Sequence, residues 1–214
     1  MLAICTVKDP DGLPVPGVSV DIWQTDSSGH YDVQYPDRYA PSERGIMLSD
    51  QEGRFWFQGI KPASHAIPHG GPVGQLLKLL QRHSWRPAQV HFMFHKDGWD
   101  RLITQVSPGT LDLLKIGVAN AFHIRALYLR GDPYENSDVA FGVKPSLVVE
   151  LDRVDRETAE KYGVHPDIWL LKYDFVFTTR RVTERLRNQL SLEAFERLGL
   201  SAKIVDGLPV PDLD

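Results

Sequence analysis

The segment KPASHAIPHGGPVGQLLKLLQRHSWRPAQVHF, residues 61–92, combines a Pro-Gly-rich loop, a short apolar helix pattern and a strand pattern. Alternate side chains of a strand share one face, so Gln89 and His91 point to the same side while their neighbours point to the other. His65 precedes the helix, and the Pro-Gly-rich loop allows a sharp reversal that returns it beside the strand. The pattern predicts polar side chains facing a small target such as a metal ion. The plainer alternative is a strand with one histidine in a polar pocket.

Short alternating segments separated by turns lie on both sides of this stretch. Val18, Val20 and Ile22 alternate with polar residues, which is typical of a half-buried strand. Turn-bounded strands at this spacing predict an all-β fold, a β-sandwich. After Arg180 the apolar residues recur at helical spacing, so residues 180–214 are predicted to form a C-terminal helical or irregular tail. The predicted strands cover residues 4–7, 18–23, 54–57, 90–94, 101–106, 127–129, 146–151 and 173–178.

Length and composition restrict the class of protein. A chain of 214 residues is expected to form one sizeable core. A formal net charge of -4 gives no basic surface for nucleic acid. Cys5 is the only cysteine, which excludes an internal disulfide and suits a reducing, cytoplasmic location. The first residues lack a basic leader, and no apolar run approaches the ~20 residues that span a bilayer. We therefore expect no signal peptide and no membrane partner.

Five motifs occur in order along the chain: GLPVPGVSVDIWQTDSSGHYDVQYPD, SDQEGRFWFQGIKP, IPHGGPVGQLL, RPAQVHF and GDPYENSDVAFGVK. Together they resemble the catalytic domain of intradiol ring-cleavage dioxygenases, and most of all the catechol and hydroxyquinol 1,2-dioxygenases, over residues 4–177. The resemblance implies a β-sandwich catalytic domain over residues 1–179, with a short helix in the site loop. It also implies a non-haem ferric ion, Fe(3+), held by two tyrosines and two histidines. The implied partners are a small aromatic diol and O2, which give a ring-opened dicarboxylic acid.

The resemblance places the metal ligands on four positions of this sequence. Tyr31 falls on the family's first tyrosine and His91 on its second histidine. Gln89 stands where the family has its first histidine, and His65 where it has its second tyrosine. Because anionic phenolates favour ferric iron, losing one is expected to weaken iron binding. An active dioxygenase, a catalytically impaired relative and a β-sandwich binding module all remain open.

Three residues are expected to act on the substrate. In the family the second tyrosine accepts a proton from the diol, and His65 is suited to that role because imidazole titrates near neutrality. The resemblance also places Arg86 and Gln105 near the substrate ring, where an arginine stabilises negative charge on the bound diol. For Arg86 the alternative is a surface ion pair with Asp97 or Asp100.

Two architectural differences from the family follow from the same motifs. The family's N-terminal helical region builds its dimer interface, whereas this sequence begins at the first sandwich strand, so a homodimer would have to use another surface. Residues 106–125 form an insertion relative to the family, between LITQ and GDPYENSD. Its Val-Ser start and the Ala-Asn near its end are dipeptides that splice and branch signals would encode. We interpret the insertion as a retained short intron or as an excursion that loops out of the sandwich.

Overall fold

The computed structural model describes residues 1–99 and 125–212, except the side chains of Arg125, Arg180 and Leu186. The described elements are β1 Leu2–Lys8, β2 Ser19–Gln24, a 3-10 turn Asp32–Gln34, β3 Arg44–Leu48, β4 Arg54–Gln58, β5 His65–Ala66, α1 Pro72–Leu79, β6 Trp85–Arg86, β7 Gln89–His95, β8 Arg125–Leu129, a 3-10 turn Pro145–Leu147, β9 Val148–Val149, β10 Asp152–Arg153, α2 Arg156–Tyr162, β11 Trp169–Val176, α3 Arg180–Arg197, β12 Ala202–Val205 and β13 Leu208–Pro211.

Two sheets form a β-sandwich, as the sequence predicts. One sheet has the strand order β10-β11-β1-β4 and the other has the order β3-β2-β7-β8-β9. Neighbouring strands are antiparallel except for the pairs β1–β11 and β8–β9, which are parallel. The strand that carries the predicted site, β7, lies in the middle of its sheet between β2 and β8. Its backbone is therefore bonded along both edges and holds its side chains in fixed directions.

Aromatic rings from both sheets make the centre of the core. Phe55 of β4 and Phe175 of β11 meet Phe92 and Phe94 of β7, and the rings of Phe94 and Phe175 have centroids 4.6 Å apart. Each of the four side chains is at least 94% buried. Burial of one such side chain contributes about 1.5–3 kcal/mol, so this cluster is a main reason the two sheets stay together.

Two strand predictions are corrected by the structure. Strand β3, Arg44–Leu48, lies between the predicted strands at residues 18–23 and 54–57 and is not among the predictions; it pairs with β2. The segment 146–151, predicted as one buried strand, instead begins in a 3-10 turn and continues as the two-residue β9. Pro145 explains the difference, because its fixed φ favours the first position of such a turn and it has no N–H for a ladder.

The C-terminal part contains the predicted helix and an additional hairpin. α3 begins at the N-cap Thr179, whose side chain accepts a hydrogen bond from the Val182 N–H. β12 and β13 form an antiparallel hairpin that contacts α3, where we expected an irregular Pro-Asp-rich tip. Within residues 1–99 and 125–212, no helix is both long and apolar enough to span a membrane.

Candidate active site

Strand β7 supplies two site residues on one face. Gln89 and His91 are 2% and 7% exposed, and the intervening Val90 and the following Phe92 belong to the hydrophobic core. The ring of His91 stacks on Trp23 of β2, with centroids 5.1 Å apart and planes 4° from parallel. The two-residue period read from the sequence therefore gives the observed orientation.

A tight reversal brings His65 to the same place. β5 and β6 form a short antiparallel ladder in which His65 lies opposite Arg86, with α1 in the connection between them. The reversal is so close that a Cβ atom added to Gly74 would lie 1.8 Å from the carbonyl oxygen of His69. Asp132 joins the two segments, since one of its oxygens accepts from Ser64 Oγ at 2.6 Å and from the Ala88 N–H at 2.9 Å.

Tyr31 completes the cluster from the opposite side. It follows the turn at Gly29, whose φ of +81° favours glycine and whose added Cβ would lie 3.2 Å from His65 Cβ. Tyr31 Oη lies 3.4 Å from His65 Nε2, and the Tyr31 ring centroid is 5.9 Å from that of His91. The structure thus brings Tyr31, His65, Gln89 and His91 together.

Several buried polar atoms of this cluster have no hydrogen-bond partner among the described residues. They are both amide atoms of Gln89 and the Nδ1 atoms of His65 and His91. Each imidazole also lies near a backbone carbonyl outside hydrogen-bond geometry, that of Ala63 for His65 and that of Trp23 for His91. The Gln89 amide is therefore the stronger indication. The Gln89 amide lies near the Tyr31 phenol and favours its ionised form, although the geometry is not that of a hydrogen bond. Because buried polar groups are nearly always paired in folded proteins, this concentration of unpaired atoms indicates a ligand-binding position.

Burial sets the charge of the cluster. Burial, with the nearby Arg86 charge, lowers the pKa of His65 to about 4, and the same causes lower the pKa of His91 to about 3. Both imidazoles are therefore neutral at pH 7, which is the form that binds metal ions. Burial raises the pKa of Tyr31, and the Arg86 charge offsets part of that rise. The Tyr31 phenol is therefore protonated at pH 7, and a cation bound beside it would favour the phenolate.

Arg86 is held beside the cluster by a buried carboxylate. Its Nε donates to Asp138 Oδ1 at 3.2 Å, and Asp138 has a side chain only 2% exposed. Its Nη2 donates to Tyr128 Oη at 3.0 Å. The alternative of a surface ion pair with Asp97 is wrong, because Arg86 pairs with Asp138 across the site.

Three residues of this site were not found from the sequence. Asp138 and Asp132 lie in the GDPYENSD motif, where alternation gives no sign of a buried carboxylate. Tyr128 was read only as part of a strand. The structure places Tyr128 directly opposite Gln89 in the β7–β8 ladder, so the two side chains share a face, but the sequence carries no signal for that register.

Three further histidines of the chain, His69, His83 and His95, are exposed. Gln105 and the insertion lie outside the described residues, apart from Arg125, which is the first residue of β8.

The donor set fits a transition-metal ion. No group of three or more His, Cys, Asp or Glu that could hold a metal occurs in residues 1–99 and 125–212. The cluster instead offers one phenol, two neutral imidazoles and an unpaired amide. These four side chains come from three separate segments and meet in a largely buried space, which is the arrangement that a metal ion would join. Only the phenolate would bring negative charge, so a ferric ion bound here would have fewer anionic ligands than the resemblance implies for the family.

Comparisons with known proteins identify the family of the chain. The family model described as "Dioxygenase" matches residues 1–178. The intradiol ring-cleavage dioxygenase hqdA of Aspergillus niger is 53% identical over 214 residues, covering 100% of this chain and 59% of that protein. The hydroxyquinol 1,2-dioxygenase of Rhizobium sp. is 35% identical over 182 residues, covering 82% and 54%. The crystal structure of hydroxyquinol 1,2-dioxygenase from Pseudomonas putida aligns with a TM-score of 0.68 and 33% identity, covering 84% and 56%. The chain thus spans little more than half the length of these relatives.

Proposed function

The chain belongs to the intradiol ring-cleavage dioxygenase family, and from that membership we propose that it cleaves a catechol-type diol with O2 at a non-haem ferric site. The substrate is catechol or hydroxyquinol, and the product is a ring-opened dicarboxylic acid. Residues 1–179 act as the catalytic domain and residues 180–214 as a tail. The buried thiol of Cys5 is consistent with a cytoplasmic location.

One observation carries the proposal: Tyr31, His65, His91 and the unpaired Gln89 amide converge beside the Arg86 guanidinium. A structural module that only packs two sheets has no reason to bury an amide with neither atom bonded, since that costs about 1–3 kcal/mol. We assign these four side chains as the metal-holding positions. A bound ferric ion would supply Lewis acidity to both ring oxygens and make the ring reactive towards O2.

The chain's own residues bind and orient the diol. The guanidinium of Arg86, fixed by Asp138, is placed to stabilise negative charge on the ring oxygens as their protons leave. His65 is unprotonated at pH 7, so its Nε2 can accept a proton from the diol or from Tyr31, whose Oη is 3.4 Å away. Its pKa, lowered to about 4 by burial, makes it a weaker base than the near-neutral imidazole expected from the sequence. The Nε2–Oη distance is longer than a catalytic hydrogen bond, and such contacts tighten when the ligand binds.

The experiment is metal loading of the purified chain followed by product analysis. The protein incubated with ferric iron should show a visible phenolate-to-iron band, and with O2 and catechol or hydroxyquinol it should yield the dicarboxylic acid, seen by mass spectrometry. Tyr31→Phe should abolish the band and the product. Tyr39→Phe is the matched control, because Tyr39 is 95% exposed, and it should keep both. A chain that takes up no iron and forms no product refutes the proposal.

A second candidate rests on the two replaced ligand positions. If Gln89 and His65 hold iron too weakly for turnover, the chain is a catalytically impaired member or an aromatic-binding module. The double substitution Gln89→His with His65→Tyr should then raise iron affinity and dioxygenase rate together. If iron affinity and dioxygenase rate both stay unchanged, the residues at positions 65 and 89 are not the cause of low activity.

A further inference from the structure

Tyr128 faces the site from the strand next to Gln89. The two residues are directly opposite in the antiparallel β7–β8 ladder, so their side chains lie on the same side of the sheet. Adjacent strands are about 4.8 Å apart, which is on the scale of one aromatic ring. Tyr128 is only 3% exposed, so its hydroxyl is not a surface group.

The hydrogen bonds around Tyr128 leave its hydroxyl hydrogen unused. A guanidinium only donates, so Tyr128 Oη must be the acceptor of the 3.0 Å bond from Arg86 Nη2. The phenolic O–H is then left to donate elsewhere, and among residues 1–99 and 125–212 it has no hydrogen-bond acceptor. The carboxylate of Asp138 is engaged by Arg86 Nε and by the N–H groups of Ala140 and Gly142, at 3.2, 3.1 and 2.8 Å.

The backbone at Gly142 closes one side of this hydroxyl. A Cβ atom added there would lie 2.4 Å from Tyr128 Oη and 3.0 Å from Arg86 Nη2. No side chain fits between the loop and the phenol, so the loop holds the hydroxyl in place. Tyr128 shares its face of the sheet with Gln89, so its side chain lies on the side of the sheet that carries the cluster.

We propose that Tyr128 contacts the substrate and donates its hydroxyl hydrogen to a third oxygen of the ring, so that it selects a trihydroxybenzene over catechol. The inference rests on the proposed function, because the two vicinal oxygens are assigned to the cluster of Tyr31, His65, Gln89 and His91. Tyr128 faces the same side of the sheet from the neighbouring strand β8. Asp138 acts as a positioning residue through Arg86.

The test measures binding without turnover. Iron-loaded full-length chain is titrated calorimetrically with catechol and with benzene-1,2,4-triol under strict exclusion of O2. Tyr128→Phe should weaken triol binding about 3- to 10-fold, the effect of one net hydrogen bond, and change catechol binding less than about twofold. Tyr173→Phe is the matched control, since Tyr173 also makes one hydrogen bond, to the Ser146 carbonyl at 3.2 Å, outside the site. It should leave the ratio of the two affinities unchanged.

Equal weakening for both ligands, or none for the triol, overturns the inference. If Tyr128→Phe fails to fold by thermal melting, Gly142→Ala replaces it, because the added methyl displaces the hydroxyl without removing it. Because the methyl would also lie 3.0 Å from Arg86 Nη2, both ligands should bind more weakly, the triol more than catechol, and an unchanged ratio overturns the inference. A chain that shows the selective loss but never forms a ring-opened product keeps the inference and refutes the proposed turnover. If the chain cleaves both ligands but Tyr128→Phe leaves the affinity ratio unchanged, the proposed turnover stands and the inference about Tyr128 is refuted.

Discussion

Replacement of Gln89 by methionine is expected to stabilise the metal-free protein. Gln89 is 2% exposed and neither of its amide atoms is hydrogen-bonded among the described residues. An unsatisfied buried amide costs about 1–3 kcal/mol, and methionine has a similar length without polar atoms to satisfy. The amide lies near the Tyr31 phenol and interacts with it favourably, which offsets part of the cost. We therefore expect a gain of about 1–2 kcal/mol in the free energy of unfolding.

The assay is urea unfolding in the presence of a chelator, with a thermal melt alongside. The midpoint should rise with an unchanged m-value, and each kcal/mol should raise Tm by about 2–4 °C for a chain of this size. The control is Gln58→Met, at an exposed position of β4, which should change the free energy by less than about 0.5 kcal/mol.

Ferric iron should reverse the order of stability. A metal that binds only the folded state stabilises it according to its affinity, and wild type keeps an oxygen donor that methionine lacks. A hard ferric ion gains little from a thioether. If the metal-free variant is instead less stable than both wild type and the Gln58 control, the amide is satisfied in solution and does not face a ligand position.

Three further predictions follow from the same contacts. Asp132→Ala should cost about 1–3 kcal/mol in urea unfolding, because the Ala88 N–H loses its acceptor, whereas the exposed Asp152→Ala should be near neutral. Burial would raise the pKa of Asp26, but hydrogen bonds from Tyr35 and Ser28 outweigh it and hold the pKa well below the ordinary value. This stabilisation is complete above the unfolded value of about 3.9 and is lost as the pH falls below it, so the difference in urea midpoint between wild type and Asp26→Asn should be constant above about pH 5 and shrink towards pH 2. Deletion of residues 106–125 should leave a folded protein with an equal or higher Tm, and transcript sequencing separates a retained intron from an excursion; unfolding of the shortened chain would show that the segment belongs to the core.

The parts of the fold that follow local rules could be predicted from sequence. The two-residue alternation places Gln89 and His91 on one face and their neighbours in the core, because side-chain direction in a strand depends only on position along it. The helix after Arg180 likewise follows from its own spacing and from the cap at Thr179. In each case the information lies within a few residues of the element.

The partners of Arg86 could not be predicted in this way. Asp97 and Asp100 are nearer in sequence, but the ion pair forms with Asp138, which is 52 positions away. Which acidic residue meets the guanidinium depends on how the segment after β8 returns over the site, and no local pattern encodes that path. Tyr128 was missed for a related reason, since its role depends on the register between two strands.

The parallel pairing of β1 with β11 has a consequence for how the chain acquires its structure during synthesis. Leu2–Lys8 lies opposite residues 170–176, so about 160 residues must be made before that ladder can close. At about 5–20 residues per second the ribosome takes on the order of 10–30 s to do so. During that time the apolar strand LAICTVK can pair only with β4, and its other edge stays open. Such long-range contacts slow folding and leave nascent strand edges vulnerable to aggregation, so we expect the yield of native protein to depend on translation speed and on chaperones that shield this edge.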